Sequence, residues 1–314
     1  MKDKKLLIVG ELNVDLILND IGGFPKIGTE IVANQMDFTL GSSSAIMASN
    51  ISVMGTKTAF CGKIGLDRFG EFVQGELKKK NVDTRFISNS QNHKTGITVV
   101  MNYDQDRANV TYCGAMEDLT IKDIPWDTLG QYDHLHLSNY FLQKGIQKDI
   151  IQVFKQAKEA GLTTSLDLQV DPENKWNFDY KNVLPFVDIF LPNQSELLGL
   201  TGMKNLESAI AEIKPYVNTI VVKMGYEGAM LISEDKKYTL KPFLNKKFRD
   251  AIGAGDSFNA GFIHEYLKEA SWEECLENAN LMGSLSTTFA GGTAAFTSTD
   301  EIQEKKQQIQ KKEL

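Results

Sequence analysis

The segment Arg249-Asp250-Ala251-Ile252-Gly253-Ala254-Gly255-Asp256-Ser257-Phe258-Asn259-Ala260-Gly261-Phe262 joins a glycine-rich turn to an apolar helical run. Gly253, Ala254 and Gly255 carry little or no side chain. Their backbone N–H groups can therefore approach an anion closely, and the helix dipole adds partial positive charge there. Asp256 follows directly, a carboxylate beside that anion hole; a first-turn Asp also stabilises a helix N-terminus on its own account. Neither GxxxxGK[ST] nor a GxGxxG after the first apolar run is present, so the common nucleotide fingerprints do not explain the segment.

Other polar groups sit where an α/β protein binds ligands. Asn13 and Asp15 follow the first apolar run two residues apart, on one face of an extended chain, and both can bind hydroxyls or simply leave the strand in a turn. Asn193 and Glu196 follow the run ending at Leu191-Pro192; their spacing suits a helix cap and also puts two polar groups on the ligand side of a parallel sheet. Gly225 and Gly228 permit a close turn after Thr219–Met224, with the positive charge of Lys223 beside it. Arg107 is either a partner for an acceptor carboxylate or a solvated edge-strand charge. Asp167-Leu168-Gln169 ends a strand, as cleft lining or as a turn. His134 and His136 alternate on one strand face, but no third ligand accompanies them, so they are expected in the core or at an edge.

The elements that must hold these groups alternate. Short apolar runs at Lys5–Val9, Thr58–Cys61, His134–Leu137, Thr164–Leu168, Val187–Leu191 and Thr219–Lys223 read as buried strands of a largely parallel sheet, with amphipathic helices between them, as at Gly145–Ala160. This predicts a doubly wound α/β fold with helices on both faces of a mostly parallel sheet. Thr29–Leu40 and Thr95–Tyr103 instead alternate apolar and polar residues; with a turn at Asp104–Asp106 and a strand through Tyr112 they predict antiparallel strands of a small separate sheet. Such a sheet can cover a cleft as a lid and offer its apolar far face to a second copy. The expected division is a body of 1–12, 41–95 and 113–314 and a discontinuous lid of 13–40 and 96–112. The Lys/Gln-rich end, Glu301–Leu314, reads as a solvated or frayed helix.

Composition excludes several partners. With 34 basic and 41 acidic residues in 314, the net charge of −7 offers nucleic acid or anionic lipid no bulk attraction. The apolar stretch after the charged start runs only from Leu6 to Val9, too short for a signal or membrane span, so a cytoplasmic protein is expected. Cys61, Cys113 and Cys275 are far apart and form no CxxC, which suggests buried small hydrophobes rather than disulfides or a zinc site.

The glycine-rich segment resembles the C-terminal signature DTxGAGD of the ribokinase-like (PfkB) carbohydrate kinases, with Asp250, Gly253, Ala254, Gly255 and Asp256 in place and Ala251 where threonine is usual. Further resemblances follow in the family's order. They are Gly10-Glu11-Leu12-Asn13-Val14-Asp15, Phe24-Pro25-Lys26-Ile27-Gly28-Thr29-Glu30, the helix start at Gly41, Gly65-Leu66-Asp67-Arg68-Phe69-Gly70 as a helix cap, Pro192-Asn193-Gln194-Ser195-Glu196 as N-x-x-E, and Lys223-Met224-Gly225-Tyr226-Glu227-Gly228.

The resemblance implies an ATP- and Mg²⁺-dependent kinase of a free sugar or sugar acid such as ribose, fructose or 2-keto-3-deoxygluconate. Asp256 would be the general base and Gly253–Gly255 the anion hole. It also implies that Asn193 and Glu196 organise Mg²⁺ through water, that Lys223, Gly225, Gly228, Asn280 and Gly291 bind nucleotide, and that Asp250 resembles a K⁺ site of some members. Asn13, Asp15, Gly41, Ser42, Ser43 and Arg107 would meet the sugar, and the lid would support a homodimer. The chain departs from the family at Gly41-Ser42-Ser43-Ser44-Ala45-Ile46: Ser42 replaces a glycine and Ile46 an asparagine, which puts ribose in question. The serines either donate to an altered sugar or cap the next helix. The alternatives are a nucleoside or vitamin-like alcohol kinase, or a catalytically silent sugar-binding regulator; a nicotinamide oxidoreductase lacks its glycine motif.

Overall fold

A computed structural model describes residues 3–103 and 106–311. Nine strands form one sheet in the order β13-β12-β11-β10-β9-β8-β1-β4-β5. They are β1 Lys5–Val9, β4 Lys57–Ile64, β5 Asp83–Asn89, β8 His134–Ser138, β9 Thr163–Asp167, β10 Ile189–Phe190, β11 Thr219–Lys223, β12 Ala229–Ser233 and β13 Lys236–Leu240. From β5 through β11 all neighbours are parallel, and β12 and β13 add an antiparallel edge.

The apolar runs are continuous because both faces of this sheet are covered. In β1, Leu6 and Ile8 pack into one core with Phe60 and Phe262, while Leu7 and Val9 join the opposite core with Leu135 and Phe154. The chain leaves β1 toward β4 and β5 on one side and later returns to β8, β9, β10 and β11 on the other. The strand order thus reverses at β1, the point where open α/β sheets bind ligands beyond their strand ends.

A second sheet has the order β3-β2-β6-β7, built from β2 Asn13–Ile21, β3 Ala33–Leu40, β6 Gly96–Tyr103 and β7 Asp106–Tyr112. It corrects the expectation of purely antiparallel strands. β2 and β6 pair in parallel, from Asn13 opposite Gly96 outward, because both leave the body in the same direction; only β3 and β7 return antiparallel. The turn expected at Asp104–Asp106 falls on residues 104 and 105, outside the described residues. Alternation sorts the two faces. Asp15, Thr98, Arg107 and Asn109 line a cavity, and Met36 and Val110 stand exposed on the opposite face, more than half accessible.

Three further expectations change in detail. Regular strand begins at Ala33 rather than Thr29. The Gly145–Ala160 helix is two pieces, Lys144–Gln147 and Ile150–Glu159. Gly145 is pinned against the preceding segment, where a Cβ would lie 2.5 Å from the Glu117 and Leu119 carbonyl oxygens. The C-terminal helix, Thr299–Gln310, is docked rather than solvated or frayed, because Ile302 and Ile309 are buried in the core; residues 312–314 lie outside the described ones. Cys61 and Cys275 are buried and Cys113 is half-buried. No helix among the described residues is long and apolar enough to cross a membrane.

Candidate active site

Gly253 caps the Ala254–Leu267 helix in the left-handed conformation, at φ 71°. A Cβ there would lie 2.4 Å from the Gly292 Cα, so both backbone and packing require glycine. The helix begins immediately afterwards and carries Asp256 in its first turn, where the leading N–H groups have no intrahelical acceptors. Asp256 is buried. Burial, reinforced by the charge of Asp167 and opposed by Lys223, pushes its carboxyl up to about 7.

Beneath this turn lies a buried charge cluster. Lys223, at the end of β11, is 2.6 Å from Asp167 Oδ2 at the end of β9, and Asn259 Nδ2 donates to the same oxygen at 2.6 Å. Burial opposes the charge of Lys223, but Asp167 and Glu196 hold its pKa above the usual lysine value. Glu196 is itself buried and pushed up to about 7, by desolvation first and then by Asp167. With Asn193 it forms a complete capping box: Asn193 Oδ1 accepts from the Glu196 N–H, and the Glu196 carboxylate accepts from both nitrogens of Asn193. Three buried carboxylates thus face one ammonium. That excess of oxygen donors and negative charge fits a divalent cation held through water, although no cluster of three His, Cys, Asp or Glu side chains able to hold a metal directly occurs among the described residues.

Two cavities meet at the helix start. The first, about 430 Å³, is lined by Lys223, Gly225, Gly228, Ala254, Gly255 and Asn280. Gly228 has φ 95°, and a Cβ there would sit 2.0 Å from the Leu240 carbonyl oxygen. Asn280 Nδ2 donates to the Lys241 carbonyl at 3.2 Å and so holds the facing wall. That wall, Pro242–Asn245 with Phe248, escapes sequence reasoning because it lies in no regular element and carries no motif.

The second cavity, about 280 Å³, is lined by Asn13, Asp15, Ser42, Ser43, Arg107, Gly253 and Asp256. Asp15 is pushed up to about 7, chiefly by burial, with Asn13 and Arg107 opposing the shift. Asn13 Nδ2 donates to Thr98 Oγ1 at 2.8 Å and to Asp15 Oδ1 at 3.2 Å, while its own buried Oδ1 has no protein partner. Gly41 closes the floor, since a Cβ there would lie 2.2 Å from Asp15 Oδ1.

Of the two readings of the serines, capping holds for Ser42. It sits at φ 72°, which explains why glycine is usual there, and its Oγ accepts from the Ala45 N–H while donating to the Glu11 carbonyl. Ser43 donates to the Glu11 carboxylate at 2.7 Å, Ser44 also bonds to it, and Asn139 Nδ2 donates to it at 3.2 Å. Glu11 and Asn139 were legible only as polar residues next to strand ends. Their convergence depends on β1 and β8 being neighbours.

Asn193, Glu196 and Gly291 line neither cavity. Gly291 instead faces Thr39, and its N–H donates to Asp250 Oδ2 at 3.1 Å; Asp250 Oδ1 accepts from the Ile252 N–H at 2.9 Å. Asp250 therefore ties two loops together. His134 and His136 are core residues: both are fully buried, bonded to Thr163 and Ser165, and kept neutral by desolvation, which lowers His136 to about 3.

A protein-family model described as pfkB family carbohydrate kinase matches residues 3–299. A 2-dehydro-3-deoxygluconokinase of Bacillus subtilis (strain 168) is 26% identical over 307 residues, covering 93% of this chain and 92% of that protein. The ribokinase of Arabidopsis thaliana, solved in complex with ribose and ATP, superposes with a TM-score of 0.82 at 25% identity, over 96% of this chain and 98% of that one. A fructokinase of Vibrio cholerae O395, solved with fructose, ADP and a calcium ion, shares the fold with a TM-score of 0.78 at 22% identity, over 96% and 98% of the two chains.

Proposed function

Since the chain belongs to the pfkB family of carbohydrate kinases, and is thereby a phosphotransferase acting on a sugar hydroxyl, we propose that it transfers the γ-phosphoryl group of ATP to a free sugar or sugar acid held between body and lid. One observation carries this reading. Gly255 lines the 430 Å³ cavity while Asp256, the next residue, lines the 280 Å³ one, so a phosphate in the first and a hydroxyl in the second would meet at one helix N-terminus.

In this mechanism Asp256 accepts the proton of the attacking hydroxyl, and the N–H groups at Gly253–Gly255 stabilise charge on the transferring group. Phosphoryl transfer needs alignment and charge stabilisation above all. Lys223, Gly225, Gly228 and Asn280 would hold the nucleotide. Mg²⁺, held through water by Glu196 with Asn193 behind it, would neutralise phosphate charge. Asp250, with carbonyls near the Gly291 turn, would hold a K⁺ ion. Asn13 and Asp15 would take sugar hydroxyls over the floor of Gly41, Ser42 and Ser43, and the orphaned Asn13 Oδ1 suits a hydroxyl donor. Arg107 would receive the carboxylate of a sugar acid.

The lid, residues 13–40 and 96–112 against a body of 1–12, 41–95 and 113–314, would exclude water that otherwise hydrolyses ATP. Its apolar outer face would be buried between two copies. Aromatic side chains are absent from the described lining of the acceptor cavity, which disfavours a stacked nucleobase and so a nucleoside acceptor. The test is ADP release from Mg-ATP across ribose, fructose, 2-keto-3-deoxygluconate and nucleosides, with product mass. One strong sugar hit supports the reading. Turnover of nucleosides alone, or of nothing while ATP still binds, refutes it.

A further inference from the structure

Nine non-glycine residues among those described have positive φ, and three of them, Ser42, Asn139 and Gln169, line the acceptor cavity. Backbone held in the left-handed region costs free energy and persists where the surroundings demand it. Ser42 and Asn139 have a common reason, the Glu11 anchor. Gln169 has another. At φ 59°, just past the end of β9, it donates from Nε2 to Asp167 Oδ2 at 3.1 Å and to Asp256 Oδ1 at 3.1 Å. Between two ionised carboxylates only the NH₂ end of the amide can serve both, one hydrogen to each. Asp167 already accepts from Lys223 and Asn259 and is a fixed post. The Asp256 oxygen is thereby tethered, through Gln169, to a carboxylate that Lys223 and Asn259 already hold.

We infer that Gln169 is a positioning residue for phosphoryl transfer: its carboxamide, bridging Asp167 and Asp256, fixes the rotation of the Asp256 carboxylate so that the second oxygen, Oδ2, faces the acceptor hydroxyl. The inference rests on Asp256 being the base. Two consequences follow from the geometry. A donor to a carboxylate favours its charged form, so the bridge offsets part of the desolvation that disfavours ionised Asp256. The remaining charges around Asp256 come from Glu11 after β1, Asp15 on β2, Arg107 on β7, Asp167 on β9, Glu196 and Lys223; changing Gln169 removes none of these charges, although it takes one donor from Asp167 as well as one from Asp256. Glycine at 169 would also relax the backbone while deleting the amide, so stability and activity should separate.

The experiment uses the full chain with Asp256→Asn, Gln169→Leu, Gln169→Gly and the Asp256→Asn/Gln169→Leu double variant. kcat/KM is measured from pH 5.5 to 9.5 with Mg-ATP and each of ribose, fructose and 2-keto-3-deoxygluconate, and Tm is measured at pH 5 and pH 9. Gln169→Leu is expected to move the acid limb of kcat/KM up by about one pH unit, a roughly tenfold loss at pH 6. Gln169→Gly should lose activity similarly without a lower Tm. At pH 9, but not at pH 5, Asp256→Asn should raise Tm more in the Gln169→Leu background than in the wild type, a readout that needs no acceptor. An unmoved acid limb, or zero coupling at pH 9, overturns the positioning role even when Asp256→Asn is inactive. Retained turnover by Asp256→Asn instead removes the base assignment itself, and the inference falls with it.

Discussion

At Asp256 the carboxylate proposed as the base is also a cost to folding. Its pKa is raised to about 7, against about 4 in an unfolded chain, so the folded state binds a proton more readily than the unfolded one. Stability from this group is therefore greatest at acid pH and is lost as pH rises from about 4 through 7, while activity with Asp256 as the base is expected to appear as pH rises past 7. Asp256→Asn is expected to lower kcat by about three orders of magnitude. It should also raise stability at pH 8 by on the order of 2 kcal/mol, an advantage that shrinks toward pH 5 in urea titrations. Equal stability of the two proteins at pH 8 would mean that Asp256 is not desolvated as described. Asp15 separates binding from chemistry: Asp15→Ala should raise the KM for the sugar more than tenfold and leave the KM for ATP within about twofold, because the two cavities share no acceptor-binding side chain.

The elements matter through where they stop. β1, β8, β9, β10 and β11 run parallel and so finish at the same end of the sheet, which brings Glu11, Asn139, Asp167, Asn193 and Lys223 to or just past those strand ends. The helix start is the least tolerant junction. Gly253→Ala puts a Cβ on the Gly292 backbone and forces alanine into the left-handed region, at about 1–2 kcal/mol for the conformation alone. The expected result is a Tm lower by on the order of 5 °C, with impaired transfer. An unchanged Tm would show that the Gly291-Gly292 turn yields. The helix start was readable in advance from its glycines and first-turn Asp, although those residues alone fit an ordinary helix cap as well. The parallel pairing of β2 with β6 was not, because hydrophobic alternation reports which face a residue takes and is silent on strand direction.

For the molecule as a whole, the second sheet divides its work by face, with polar residues over the cavity and Met36 and Val110 outward. If that outer face joins two copies, Met36→Lys with Val110→Lys should yield a monomer in light scattering while the wild type runs as a dimer; a monomeric wild type would remove the dimer from the proposal. The α/β class, the glycine-rich helix start and the ordered motifs are legible in the chain alone, because periodicity and small residues at a sharp turn are local properties. So is Asp67 as a helix cap, which the bond from the Gly70 N–H bears out. How the serines at 42–44 are used, that Asn193 and Glu196 line neither cavity, and that Gln169 bridges two carboxylates emerge from packing. Those contacts join residues 31, 30 and 87 positions apart, as in Ser42 to Glu11, the Asn193 to Lys223 bridge and Gln169 to Asp256. Such distances close only once parallel strands are ordered side by side, and strand order is a property of packing that no local pattern encodes.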